Sequence, residues 1–237
     1  MIAGRHALVI GASGGIGRAL ADAIDRIDDV DLVLRAGRSA APGMDVTIDL
    51  ADEDSIAAAA ETVAERTGRL HLLIVATGIL HEEGVSPEKR LEDLAAPSLA
   101  RLMAVNAIGP ILVARHFLPL LKHRERACFA AISARVGSIG DNRLGGWYGY
   151  RASKAALNMY LRTLAVEARR RARNLICVGL HPGTVDTSLS APFQGNVPEG
   201  KLFSPEQSAG YLLQVLEGVG PEESGRIFAW DGQPIEW

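Results

Sequence analysis

The chain has 237 residues, a net charge of -3, 48% apolar and 5% aromatic residues. That length and balance suit a single α/β domain, residues 1–237, with an Ala-, Val-, Leu- and Ile-rich core. They exclude a protein whose main work is neutralising nucleic-acid phosphates, which needs clustered Lys and Arg in excess.

The elements follow in chain order. Short apolar runs bounded by turn residues occur at His6–Ile10, Val30–Leu34, Met44–Ile48, Leu70–Ala76, Ala127–Ile132, Asn174–Leu180 and Arg226–Ala229. Their lengths predict parallel strands buried on both faces. Helix-period segments alternate with them. Ile16, Leu20, Ile24 and Ile27 share one face, and Ile56–Ala64 follows the acidic Asp52, Glu53 and Asp54 and precedes Gly68. Further helices are predicted over Ser98–Leu121, Tyr150–Arg169 and Pro205–Leu216. Strand, helix and strand repeated in this way predict a Rossmann-type doubly wound sheet of about seven parallel strands with helices on both faces. The Pro- and Gly-rich stretch 188–203 follows a strand end, where a substrate-covering loop is expected.

Other features set the setting. Cys128 and Cys177 lie in separate apolar runs without metal-ligand spacing and read as buried, reduced thiols. His6, His71, His81, His116, His123 and His181 show no clustered ligand spacing, so no metal is expected. The basic run Arg169, Arg170, Arg171 and Arg173 closes a predicted helix, where cations complement the dipole. No signal pattern precedes His6, and Arg115 and His116 interrupt the apolar run Ile108–Leu121. A cytoplasmic protein without a membrane partner is the expectation.

Gly11-Ala12-Ser13-Gly14-Gly15-Ile16-Gly17 joins the first strand directly to the first helix. Small residues there let the backbone approach a pyrophosphate, and the helix start offers unpaired N–H groups at a positive dipole end. Its glycine spacing is not the common G-x-G-x-x-G, and alone it also fits a turn without ligand. After the second strand comes Arg35-Ala36-Gly37-Arg38-Ser39, with no acidic residue for a ribose 2′-hydroxyl. A guanidinium suits a 2′-phosphate, so NADP is favoured over NAD, with Arg38 the stronger candidate and a solvated loop cation its alternative. Asp49, before Leu50, is placed either to accept from an adenine amine or to start a turn.

Tyr150 and Lys154, one helical turn apart, share a face. An ammonium beside a phenol stabilises the phenolate and lowers its pKa from about 10, which makes it a better acid or base. Pro110 falls four residues after Asn106 and has no N–H. The Asn106 carbonyl therefore loses its intrahelical donor and either becomes free to hold a water or belongs to a plain helix kink that Asn106 caps.

Taken in order, the Gly11, Gly15, Gly17 turn, Asp49-Leu50, Asn106, Tyr150-x-x-x-Lys154 and Pro182-Gly183-Thr184-Val185-Asp186-Thr187 resemble the short-chain dehydrogenase/reductase family along nearly the whole chain. The Ile132–Lys154 run is similar to the branch around carbonyl reductases and a bacterial intercellular signalling factor. The resemblance implies hydride transfer between a nicotinamide cofactor and a ketone or aldehyde, with Tyr150 as acid/base. Lys154 would hold the nicotinamide ribose, Asn106 would join a proton relay, and Pro182, Gly183, Val185 and Thr187 would meet the carboxamide. It also implies a homodimer or homotetramer acting on a small-molecule carbonyl or alcohol.

Two departures stand out. Relatives carry a serine pair whose second member polarises the substrate oxygen, but here Ser133 is followed by Ala134. Ser138, twelve residues before Tyr150, is the favoured substitute; Ser133 faces the other way if the strand continues. Val75-Ala76-Thr77-Gly78 stands where Asn-Asn-Ala-Gly is usual, so Ala76, Thr77 and Gly78 are cofactor candidates without the amides. Trp147, Tyr148 and Phe193 fit either an apolar substrate pocket or core and subunit contacts. The competing reading is a cofactor-binding signalling or regulatory protein with weak turnover or none.

Overall fold

A computed structural model describes residues 4–237, without the side chain of residue 196. Its main sheet has eight strands in the order β10-β9-β6-β5-β4-β1-β2-β3. These are β1 (Arg5–Ile10), β2 (Val30–Gly37), β3 (Val46–Thr47), β4 (Leu72–Val75), β5 (Ala127–Ile132), β6 (Leu175–His181), β9 (Ile227–Ala229) and β10 (Pro234–Ile235). All neighbours pair parallel except β10, which returns antiparallel on β9. The expected seven strands are thus joined by an eighth, whose two residues are too few to show a pattern. A small parallel pair, β7 (Thr184–Val185) and β8 (Leu202–Phe203), flanks the loop after β6.

Helices cover both faces, as near-continuous apolar strands require. On one side α1 (Gly15–Ile24) and α6 (Pro205–Gly218) bury Leu20, Ile24, Leu212 and Leu216 against Val9, Ile74 and Val178. On the other, α2 (Glu53–Arg66), α4 (Gly109–Leu121) and α5 (Tyr148–Arg171) bury Ile56, Phe117, Leu157 and Leu161 against Leu8, Leu73 and Phe129. Ile27, expected on the α1 face, lies beyond the helix and is exposed. Cys128 and Cys177 are buried and free, and burial pushes the Cys128 thiol up to about 12.

The predicted helix over Ser98–Leu121 is two helices, α3 (Ala96–Met103) and α4, joined without a break by a π turn at Ala104–Ile108. Its apolar length would suffice to cross a membrane, but Val113, Phe117 and Leu121 are packed in the core. The π turn accommodates Pro110: one extra residue enters the turn, and Gly109 N–H donates to the Ala104 carbonyl. Gly109 is required there, since a Cβ would stand 2.4 Å from the Leu50 carbonyl oxygen.

Candidate active site

Strand order reverses direction of winding between β1 and β4, and a crevice opens at the carboxyl ends of those strands. It has two lobes of about 390 Å³ each, meeting at Gly14 and Ala76–Gly78. One lobe runs past Ser13, Arg38, Ser39, Asp49 and Leu50; the other contains Tyr150, Lys154, Pro182, Gly183, Val185 and Thr187.

The glycine turn forms the wall between the lobes. Gly11 has φ +89°, and the Gly14 N–H closes the turn on the Gly11 carbonyl at 3.0 Å. A Cβ on Gly17 would lie 2.2 Å from that same oxygen, so only glycine lets α1 begin this close to β1. α1 starts at Gly15 with Gly14 as N-cap and no side-chain cap. Its first N–H groups are therefore open toward the crevice, beside Ser13 and Ile16, as a phosphate site requires. Thr77 Oγ1, at the junction of the lobes, is buried without a hydrogen-bond partner among the described residues.

The two arginines after β2 differ in availability. Arg35 is held by Asp22 at 3.1 Å and Asp25 at 3.5 Å, whereas Arg38 is exposed and has no ion pair among the described residues. Asp49 accepts from Ala51 N–H at 2.9 Å, a turn-forming contact, while also lining the lobe.

Tyr150 and Lys154 lie on the buried face of α5. Lys154 Nζ donates to the Ile132 carbonyl at 2.8 Å and stands 5.7 Å from the Tyr150 ring centroid. Burial pushes the Tyr150 phenol up to about 12 and the Lys154 ammonium down to about 8. In the free protein desolvation by burial thus outweighs the phenol-lowering effect expected of Lys154.

Asn106 is fully buried in the π turn. Its Oδ1 accepts from Ile79 N–H and its Nδ2 donates to the Ile79 carbonyl, both at 2.8 Å, and also to Ser153 Oγ at 3.1 Å. These bonds close the β4 exit onto α5. Gly78 lies between the two: a Cβ there would stand at ordinary contact distance, 3.4 Å from Lys154 Nζ and 3.5 Å from Asn106 Oδ1.

The serines are arranged otherwise than expected. Ser133 lines the cleft, but its hydroxyl donates to Asn158 Oδ1 at 2.6 Å. Ser138 is buried under the loop, accepts from Asp141 N–H at 3.2 Å and is not part of the cleft wall. It caps the 3-10 turn Arg135–Gly137, its N–H donating to the Arg135 carbonyl. Ala134 packs against the Tyr150 cluster in their place. Val185 presents its carbonyl to Thr187 Oγ1 at 3.4 Å and to Ser190 Oγ. Of the aromatics, Trp147 and Phe193 line the cleft, ring centroids 5.0 Å apart, and Tyr148 does not.

Glu88 carries no local sequence signal, yet it fixes the start of α5. Its buried carboxylate accepts from Gly149 N–H at 3.2 Å, and its carbonyl accepts from Trp147 N–H. Trp147 there takes a left-handed φ of 53°. The contact spans 61 residues, so no local spacing could reveal it.

Residues 5–197 match the family described as short chain dehydrogenase. A Rhodococcus sp. (strain AD45) 1-hydroxy-2-glutathionyl-2-methyl-3-butene dehydrogenase is 32% identical over 97% of this chain and 98% of its own. The C-signal of Myxococcus xanthus is 36% identical over 62% of this chain and 83% of its own. NADPH-bound carbonyl reductase from chicken fatty liver superposes with a TM-score of 0.86 at 28% identity over the whole of both chains. With the family matched over residues 5–197 and the Rhodococcus relative aligned over nearly the whole of both chains, the chain belongs to the short-chain dehydrogenase family.

Proposed function

We propose that the protein is an NADP(H)-dependent reductase of ketones or aldehydes, working in reverse on the corresponding alcohols. One observation carries this reading: Tyr150 and Lys154 are buried in the same crevice into which the uncapped start of α1 opens. A cofactor-binding module alone has no need of a proton donor matched to a buried amine.

The residues present fit a dinucleotide. Gly17 makes the close cradle, and among the described residues Thr77 Oγ1 has no partner and Arg38 no ion pair, leaving it to meet a 2′-phosphate. NADPH, when bound, supplies the hydride for the carbonyl carbon. Tyr150 gives its phenolic proton to the carbonyl oxygen as the C–H bond forms, and Lys154 provides the positive charge that stabilises the resulting phenolate. The Asn106 backbone carbonyl holds a water that returns a proton toward Lys154. Trp147 and Phe193 exclude solvent from the substrate lobe. The unit spans 1–237, with 188–203 covering the substrate. The free thiols fit a reducing, cytosolic setting, and family resemblance suggests a homodimer or homotetramer.

A second reading is favoured by Ala134 and by the likeness to C-signal: a cofactor-binding signalling protein with weak turnover. Titration with NADPH and NADH, followed by a carbonyl panel on wild type and Tyr150→Phe, separates the two. The enzyme reading expects turnover that falls at least about 100-fold in Tyr150→Phe. Cofactor binding with no difference in turnover between the two proteins would sink it.

A further inference from the structure

α5 carries Tyr150, Ser153 and Lys154, yet nothing in its own first turn holds its start. Trp147, at the N-cap, makes no side-chain bond, and Arg151 N–H donates to the Trp147 carbonyl at 2.9 Å as the helix begins. The N–H groups before Arg151 need partners from outside the helix. Glu88 supplies one from 61 residues away: its carboxylate oxygens accept from Gly149 N–H at 3.2 and 3.3 Å. Glu88 is only 2% exposed, and an acidic group there also meets the positive end of the helix dipole. A Cβ on Gly149 would stand 2.8 Å from Glu88 Oε1 and 2.6 Å from the Leu102 side chain of α3, so glycine alone admits the carboxylate.

The chain just before α5 is wound left-handed. Gly145, Gly146 and Trp147 have successive φ values of 65°, 65° and 53°, and among the described residues Trp147 is the one non-glycine with positive φ. A bulky residue enters that region only where its surroundings impose it, and such residues gather at functional sites. Here the Glu88 carbonyl accepts from Trp147 N–H, while the Arg151 guanidinium donates to the Gly145 and Gly146 carbonyls at 3.1 and 2.9 Å. The Trp147 ring is thereby set edge-on to Tyr150, centroids 6.2 Å apart, and against Phe193 in the substrate lobe. Glu88 itself lines neither lobe of the crevice.

We propose that Glu88 is a positioning residue for catalysis: as a remote cap of α5 it sets Tyr150 and Trp147 in the substrate lobe, without taking part in cofactor binding. This rests on the reductase reading above and adds to its site a residue from outside the crevice.

Two substitutions separate reach from charge. Glu88→Asp keeps the charge but withdraws the carboxylate by one methylene; Glu88→Gln keeps an acceptor oxygen at full reach and gives up the charge. Turnover is measured with NADPH and the ketone of the panel reduced fastest, per NADPH-binding site titrated by fluorescence, so that unfolded protein is not counted. Glu88→Asp should lose at least tenfold in kcat with its Kd for NADPH within twofold of wild type, and Glu88→Gln should keep kcat within threefold. Wild-type kcat in Glu88→Asp, a loss in Glu88→Gln as large as in Glu88→Asp, or a Kd that rises in step with the loss of kcat overturns the proposal. A second measurement needs no turnover and no folded variant: amide exchange of the cofactor-free wild type, followed by NMR. Corrected for intrinsic rates, Gly149 N–H should exchange at least tenfold more slowly than Tyr148 N–H, which has no partner among the described residues. Equal protection of the two overturns the cap. Failure of the reductase reading is seen separately, as equal turnover of wild type and Tyr150→Phe.

Discussion

Two basic residues illustrate how position decides use. Arg35 is neutralised by Asp22 and Asp25, while Arg38, three residues on, faces the crevice unpaired among the described residues. Arg38→Ala should therefore raise the Kd for NADPH about tenfold, the loss of one charge-assisted contact, and leave NADH unaffected. Equal losses for both cofactors, or a wild type that prefers NADH tenfold, would remove its role. Lys154 shows the opposite case, a charge the fold holds at a cost. Its folded value of about 8 lies below the ordinary 10.5. Below pH 8 the fold carries a buried ammonium; between 8 and 10.5 the unfolded chain holds the extra proton, so stability rises with pH. Lys154→Met should accordingly be more stable than wild type at pH 7, on the order of 2 kcal/mol after the lost bond to Ile132 is allowed for. That advantage should shrink as pH rises from 8 to 10.5, which melting curves of the cofactor-free proteins would show. A variant less stable than wild type at pH 7 would mean that the Ile132 bond outweighs desolvation.

At the scale of elements, the π turn joining α3 and α4 is the feature most open to test. Pro110 removes one helical donor, and the turn at Ala104–Ile108 widens to suit it, with the Asn106 side chain tied to Ile79 and Ser153. Pro110→Ala restores an N–H that can claim the Asn106 carbonyl. The relay reading expects slower turnover and a displaced basic limb of the pH-rate profile, with cofactor Kd unchanged; an unaltered profile would exclude that carbonyl from proton transfer. The same elements show what local sequence can encode. The strands were legible because a parallel strand buried on both faces is an unbroken apolar run, and Tyr150 with Lys154 because one helical turn fixes their common face. β10 was not, at two residues, and neither was the π turn, since a proline predicts a kink without saying how it is absorbed. Glu88 and Ser138 escaped for a different reason. Glu88 meets Gly149 across 61 residues, which no spacing within its own segment encodes, and Ser138 is taken up by a local bond from Asp141 N–H that the family spacing to Tyr150 does not reveal.

At the scale of the whole molecule, the crevice lies at one end of the sheet, so ligand effects should be unequal across the fold. A saturating cofactor stabilises the folded state by about 2.7 kcal/mol at 100 times its Kd, which for a chain of this length raises Tm by roughly 5–10 °C. Amides that exchange only on global unfolding slow by that common factor wherever they lie. Segment 188–203 is different: its residues are mostly exposed or half-buried, and its structure is a 3-10 turn at Ala191–Asn196 and the short β8. Its amides exchange by local opening, which cofactor binding elsewhere does not suppress. Leu189, Phe193 and Val197 nevertheless line the substrate lobe, so a ketone seated beside Tyr150 would be covered by this segment. Exchange over 188–203 should thus slow at least about tenfold further when a ketone is added to the NADP+ complex, because opening must then expel it. The pocket at the opposite end of the sheet, around His71 and Glu125, should show no such second step. Equal exchange over 188–203 in the binary and ternary complexes would mean that substrate binds without the segment, and that the apolar residues it contributes serve the fold alone.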